Sequence, residues 1–283
     1  MPKTKPRVSV IIASFNSVQF LEETIDSVLN QSLREIEVIV IDDCSNDGSA
    51  KIISDLAKKD VRVRPLKTSH NSGGPATPRN IGMSVAQGEF IAFLDADDIW
   101  EPGKLTIQLS HMKDDTVAVF SGFDQIDSLG NLMKKPNGFL CWIQRILINL
   151  RYRGLFISNQ YCLSTSLLRK DLVQDIKFDE DSLMHAVEDY GLWLNLFRQY
   201  PDQVVFVGES LARYRVHAGS LSSGRLRQHI RSIYCLCKHC LQTDSFKYIG
   251  SFLVGIFALG LRCFWAGFMD FFKKSAGFVD KNE

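Results

Sequence analysis

No G-x-G-x-x-G follows a strand-like run in this chain, and where the first such run ends the residues are Ser14-Phe15-Asn16. A dinucleotide-dependent oxidoreductase, which needs that fingerprint, is excluded. An excess of one charge is missing as well. Lys and Arg number 33 and Asp and Glu 32, a net charge of +1, so no nucleic-acid-binding surface is expected. The opening Met1–Arg7 is polar and basic, and the apolar run Val8–Ala13 is too short for a secretory signal. Seven cysteines stand without framework spacing. Reduced thiols and a cytosolic catalytic part follow as the expectation. Cys235, Cys237 and Cys240 lie beside His239, but the spacing fits no zinc pattern, and small side chains on a packed helix are expected there.

What is present supports a sizeable core. Hydrophobic residues make up 45% and charged residues 23% of 283, which argues against disorder and suits one large α/β domain with an appendage, or two small domains. Buried strands are predicted at Arg7–Ser14, Ile36–Ile41, Phe90–Leu94 and Val117–Ser121, with a shorter one at Val61–Pro65. Between them, Leu21, Ile25, Val28 and Leu29 fall on one helical face. Further helices are expected over Ala50–Lys58, from Pro78 with Thr77 as its cap and Gly88 as its stop, over Glu101–Met112, and over 183–197. Alternating strands and helices predict a mostly parallel sheet covered on both faces. Such sheets bind ligands at the carboxyl ends of their strands. Asn16, Asp42-Asp43 and Asp95-Ala96-Asp97-Asp98 all stand just past strand ends, so they point to one site.

Four constellations carry chemistry. Asp95 and Asp97 can face one cation with oxygen ligands, as Mg²⁺ or Mn²⁺ requires; otherwise they are acids favoured by the helix start nearby. A carboxylate of Asp42 or Asp43 can accept from a nucleobase N–H, or it serves the Asn46-Asp47-Gly48 turn. Glu188-Asp189 can supply a base for an attacking hydroxyl, or it opens a helix. In Tyr214-Arg215-Val216-His217, followed by Ser220 and Ser222, His217 is a candidate metal ligand and Arg215 a candidate phosphate contact.

The segments VSVIIASFN, EVIVIDDCSNDGS, NSGGPATPRNIGMSVAQGEFIAFLDADDIWEP, EDYGLWLNL and YRVHAGSLS, in that order, resemble the family 2 glycosyltransferases of GT-A fold, over residues 7 to about 223. The resemblance implies an α/β GT-A domain over 1–223, with a donor half about 7–121 and an acceptor half about 122–223, and a helical extension over 224–283. It implies Ala13 and Asn16 in the nucleoside pocket and one of Asp42 and Asp43 on the uracil of a UDP-sugar. Arg79 and Asn80 would shape the donor loop. Asp95 and Asp97 match the metal and diphosphate motif, with Asp97 first as the direct ligand and His217 completing the shell around Mn²⁺ or Mg²⁺. Asp189 matches the catalytic base, with Glu188 near the acceptor. The implied reaction is an inverting transfer to a hydroxyl of a saccharide or lipid-linked saccharide.

Two rivals are weighed against this reading. A sugar-nucleotide pyrophosphorylase would need a glycine-rich loop where Ser14-Phe15-Asn16 stands. A non-catalytic, membrane-associated partner of the same fold would have no use for the matching carboxylates. At the other end of the chain, Tyr248–Leu261 carries no charge but falls short of the ~20 residues of a spanning helix. Peripheral membrane contact through 248–274, at the cytoplasmic face of the inner membrane, is the expectation, and a packed core hairpin is the alternative.

Overall fold

A computed structural model describes residues 5–134, 138–219 and 225–243, with Gly250, Leu253, Val254 and Phe257. Most of the 248–274 stretch, and Ser220 and Ser222, lie outside the described residues. Among the described residues no helix is long and apolar enough to cross a membrane.

The chain begins with β1 (Val8–Ser14), α1 (Leu21–Leu29), β2 (Ile36–Asp42), α2 (Ser49–Lys59), β3 (Val63–Lys67), α3 (Ala76–Val85) and β4 (Phe90–Phe93). It continues with β5 (Ile99–Trp100), α4 (Lys104–Ser110), β6 (Ala118–Ile126), α5 (Gly138–Asn149), α6 (Tyr152–Leu155), β7 (Leu167–Arg169) and α7 (Lys170–Val173). Then come α8 (Glu188–Gln199), β8 (Val204–Arg215) and α9 (Arg225–Gln242). The strands form one sheet in the order β3-β2-β1-β4-β7-β6-β8-β5.

β1, β2, β3 and β4 pair in parallel. β7 runs antiparallel between β4 and β6, and β5 antiparallel to β8. The sheet is therefore mixed, mostly parallel. Alternate residues of its central strands serve opposite layers. Val10, Ile12, Val38 and Val40 pack with α1, α2 and α4, while Ile11, Ile39 and Ile41 pack on the other side with α3 and α8. Each such side chain, fully buried, contributes ~1.5–3 kcal/mol. α9 joins the second layer through Cys235 and Leu236.

Three local expectations are corrected. α3 starts at Ala76, ahead of Thr77. Pro75 has φ −78° and ψ −7°, already helical, and its carbonyl accepts the Arg79 N–H at 3.1 Å, so a proline with preset φ opens the helix and no side-chain cap is used. α4 starts at Lys104, because the Glu101 N–H is bound to the Leu211 carbonyl at 3.0 Å beside the β5–β8 pair. The short third strand runs two residues later than expected, in register with β2 from Val38↔Val63 to Asp42↔Lys67.

The register sets the site. Ser14 pairs with Asp42, and Ile11 with Phe93. The carboxyl ends of β1, β2 and β4 therefore open on one edge, and the turns that follow them face the same space.

Candidate active site

Beyond β4 the chain turns sharply through Asp95–Asp98, and a buried network holds the turn. Asp98 is fully buried; it accepts from Ser164 Oγ at 2.6 Å and from the Arg215 N–H at 2.9 Å. Burial, with the charges of Asp97 and Asp95, pushes its carboxyl well above the usual range. Ser164 Oγ also accepts the Asp95 N–H, at 3.1 Å. Arg215 donates from Nε to the Asp97 carbonyl at 2.8 Å and from Nη2 to Glu23 at 2.7 Å, and it lies over the Phe20 ring. The expectation that Arg215 faces phosphate is thereby corrected. Its guanidinium is 2% exposed and committed to the turn.

With its backbone held, the turn directs Asp95 and Asp97 outward. Asp97 Oδ2 lies 2.9 Å from His217 Nε2, and the His217 ring packs against Phe20, centroids 4.9 Å apart. Asp95 Oδ1 accepts Arg79 Nη2 at 2.6 Å. Burial raises the Asp95 carboxyl, opposed by Arg79 and reinforced by Asp97.

Arg79 also reaches the other half of the chain. Its Nη1 donates to Glu188 Oε1 at 2.6 Å. Glu188 opens α8 after a turn in which Ala186 has φ 69°, a left-handed conformation unusual for alanine. The neighbouring Asp189 accepts from Asn159 Nδ2 at 3.2 Å and from the Tyr190 N–H at 2.7 Å. Burial and the Glu188 charge push its carboxyl up to about 7, against the pull of Arg79.

At the opposite end, Asn16 has φ 49° and accepts the Asn46 N–H at 2.9 Å. This ties the loop after β1 to the loop after β2. The Asp43 carboxylate binds Thr68 Oγ1 at 2.8 Å and Ser72 Oγ at 2.8 Å, organising the 68–74 loop. Asp42 is buried with one oxygen on the Ser45 N–H and the other without a hydrogen-bond partner. Asn80 turns away, clamping Phe178 and Glu180.

A cavity of about 940 Å³ gathers these groups. Ala13, Asn16 and Asp43 line it at one end, Arg79, Asp95, Asp97 and His217 in the middle, and Glu188 and Asp189 beyond. Asp42 does not line it. Asn159, Gln160, Tyr161, Gln144 and His185 also form the wall, and none of them was legible as a site residue. Asn159, Gln160, Tyr161 and Gln144 come from a segment without pattern, gathered only by how 138–165 folds back, and His185 lies just ahead of α8, which starts at Glu188 and not at 183 as expected.

The cysteine cluster is structural. On α9, His239 Nε2 pairs with the Tyr152 hydroxyl at 2.6 Å, and burial pushes its imidazole down to about 4. No group of three or more metal-binding side chains occurs among the described residues.

Residues 9–177 match the family model described as Glycosyl transferase family 2. An uncharacterized glycosyltransferase of Haemophilus influenzae is 31% identical over 226 residues, covering 80% of this chain and 85% of that one. UDP-Glc:alpha-D-GlcNAc-diphosphoundecaprenol beta-1,3-glucosyltransferase WfaP of Escherichia coli is 30% identical, covering 79% and 83%. Among solved structures, S. aureus TarS 1-349 in complex with UDP-GlcNAc superposes with a TM-score of 0.66 at 21% identity, covering 89% of this chain and 71% of that one. The mannosyltransferase PcManGT of Pyrobaculum calidifontis, in complex with GDP-Man and Mn2+, gives 0.64 at 16% identity, covering 99% and 82%. The fold is thus that of the GT-A glycosyltransferases.

Proposed function

This chain belongs to glycosyl transferase family 2, and from that premise we propose that it transfers a sugar from a UDP-sugar to a hydroxyl of a lipid-linked saccharide, with inversion at the anomeric carbon. One observation carries the reading. A carboxylate held near neutrality, Asp189, shares a single cavity with the Asp95–Asp97 turn and the loops after β1 and β2. The donor's names in relatives support UDP: the E. coli protein is named for UDP-Glc and a diphosphoundecaprenol acceptor, and TarS was solved with UDP-GlcNAc.

The roles follow from position. Ala13, Asn16 and Asp43 receive the nucleoside, and Asp42 supports them from behind the wall. Asp95, fixed by Arg79, flanks the diphosphate. The acceptor hydroxyl attacks the anomeric carbon from the Asp189 side. As the new C–O bond forms and the bond to the diphosphate breaks, Asp189 takes the hydroxyl proton, and a base tuned near 7 suits that task at neutral pH. Glu188 raises the basicity of Asp189 and orients Arg79.

Asp97 and His217 fit a divalent cation. An oxygen and an imidazole nitrogen meet at 2.9 Å on the cavity wall. Two protein donors suit Mn²⁺ or Mg²⁺ that keeps other positions for phosphate and water. Such a cation, when bound, neutralises negative charge on the leaving diphosphate.

We assign 1–223 as the transferase domain, with donor half about 7–121 and acceptor half about 122–223, and 224–283 as an extension. The test supplies UDP-sugars, Mn²⁺ and a saccharide diphosphopolyprenol, with the product's anomeric configuration read by NMR. A product of configuration opposite to the donor is expected. Retention, or release of free sugar without transfer, overturns the reading.

A further inference from the structure

α5 exposes an apolar stripe. Phe139, Trp142, Ile146 and Leu150 are 63%, 57%, 38% and 42% exposed. Their spacing of three, four and four residues puts them on one face, and the Leu150 N–H continues the turn onto the Ile146 carbonyl at 3.0 Å. The Phe139 and Trp142 rings stack, centroids 5.9 Å apart. Soluble surfaces scatter such residues singly, and a contiguous row marks a contact surface.

Charge indicates what that surface meets. Residues 138–157 contain no acid, while Arg145 and Arg153 beside the stripe are exposed. Aromatic rings flanked by arginines match the interface of a bilayer carrying anionic lipid, where indole and phenyl groups settle at the headgroup level. Off the stripe, the helix reaches the catalytic cavity through Gln144, which lines the wall that also holds Asp189. Leu147 is buried. One helix therefore presents apolar rings outward and also reaches the acceptor end of the cleft.

The geometry points to α5 as a docking helix that lies in the surface of an anionic bilayer and brings the acceptor mouth of the cavity to the headgroup plane. This inference rests on the lipid-linked acceptor proposed above only for its purpose. Its physical content, binding to a bilayer through α5, stands apart from the reaction.

The full chain is sedimented with vesicles of phosphatidylcholine mixed with phosphatidylglycerol, without any acceptor. Binding is expected, with weaker binding to phosphatidylcholine alone. The double variant Phe139→Glu/Trp142→Glu should lose about tenfold or more of vesicle affinity. Arg145→Glu/Arg153→Glu should lose a similar factor on the anionic vesicles only. UDP-sugar affinity, measured by calorimetry, should match wild type in both, which also shows that they fold. If the first variant fails that check, the arginine pair decides alone. Wild-type protein that stays in solution overturns the inference. So does undiminished binding by the variants, which would move the membrane contact elsewhere in the chain. A lipid-free dimer broken by Trp142→Glu overturns it too, since a second copy would then cover the stripe. Vesicle binding with no sugar transfer would instead remove the proposed reaction and leave the docking helix standing.

Discussion

Arg79 and Glu188, 109 residues apart in the chain, are buried against each other at 2.6 Å. The same guanidinium holds Asp95, so α3 ties the β4 turn to the start of α8. Removing the cation leaves two carboxylates facing each other without it. Arg79→Met should destabilise the fold by ~3–5 kcal/mol, the usual cost of orphaning one side of a buried pair. A urea melt with an unchanged slope reads this directly, and a loss under 1 kcal/mol, on the order of a surface pair, would show that the bridge is solvated.

Asp189→Asn should separate binding from chemistry. The amide keeps the shape but cannot take the proton. Donor affinity by calorimetry should remain near wild type while kcat falls by about 10² or more. A parallel collapse of donor affinity would make Asp189 a donor-site residue.

The pH profile follows from the raised carboxyl of Asp189, pushed up to about 7 by burial and by Glu188. The base form is the ionised one, so kcat/KM should rise with pH and level off above that value. Glu188→Gln removes a negative neighbour and releases Arg79, and both changes favour ionisation. The rising limb should therefore move to lower pH, whatever happens to the plateau. A limb that stays in place would mean that another group sets it.

Chelation should abolish transfer, and added Mn²⁺ should restore it. Asp97→Ala should lose activity and weaken donor binding, since charge on the diphosphate is left uncompensated. His217→Ala should raise the Mn²⁺ concentration needed for half-maximal rate. Full turnover in excess chelator sinks this prediction.

Gly82 lies where α3 crosses β1. A Cβ there would stand 2.5 Å from Ile11 Cγ2 and 3.0 Å from Ile41 Cδ1. Gly82→Ala should cost ~1–3 kcal/mol by overpacking, seen as a lower denaturation midpoint. It should weaken activity as well, because α3 carries Arg79.

The strand pattern made the α/β architecture legible. Runs such as Val38–Ile41 are apolar at every position because both sheet faces are covered. The convergence of the Asn16, Asp43 and Asp95–Asp97 turns follows from those strands being parallel. β7 was not legible, since three residues, Leu167–Arg169, carry no periodicity, and their antiparallel place comes from packing between β4 and β6. The same reason hid Asn159, whose bond to Asp189 depends on how 138–165 folds back. Arg215 misled because a guanidinium beside His217 suggests an exposed anion contact, while its actual partners, the Asp97 carbonyl and Glu23, are distant in sequence.

The cavity wall holds five acids, Asp43, Asp95, Asp97, Glu188 and Asp189, against the single guanidinium of Arg79. A nucleotide diphosphate approaching without a cation should be repelled by the ionised members of this set before any contact forms. Its capture is then a question of encounter rate. Association should accelerate as added salt shortens the reach of that repulsion, and more steeply when divalent cations pair with the nucleotide in solution. A positively lined cleft would show the reverse dependence, its capture slowing as salt is added.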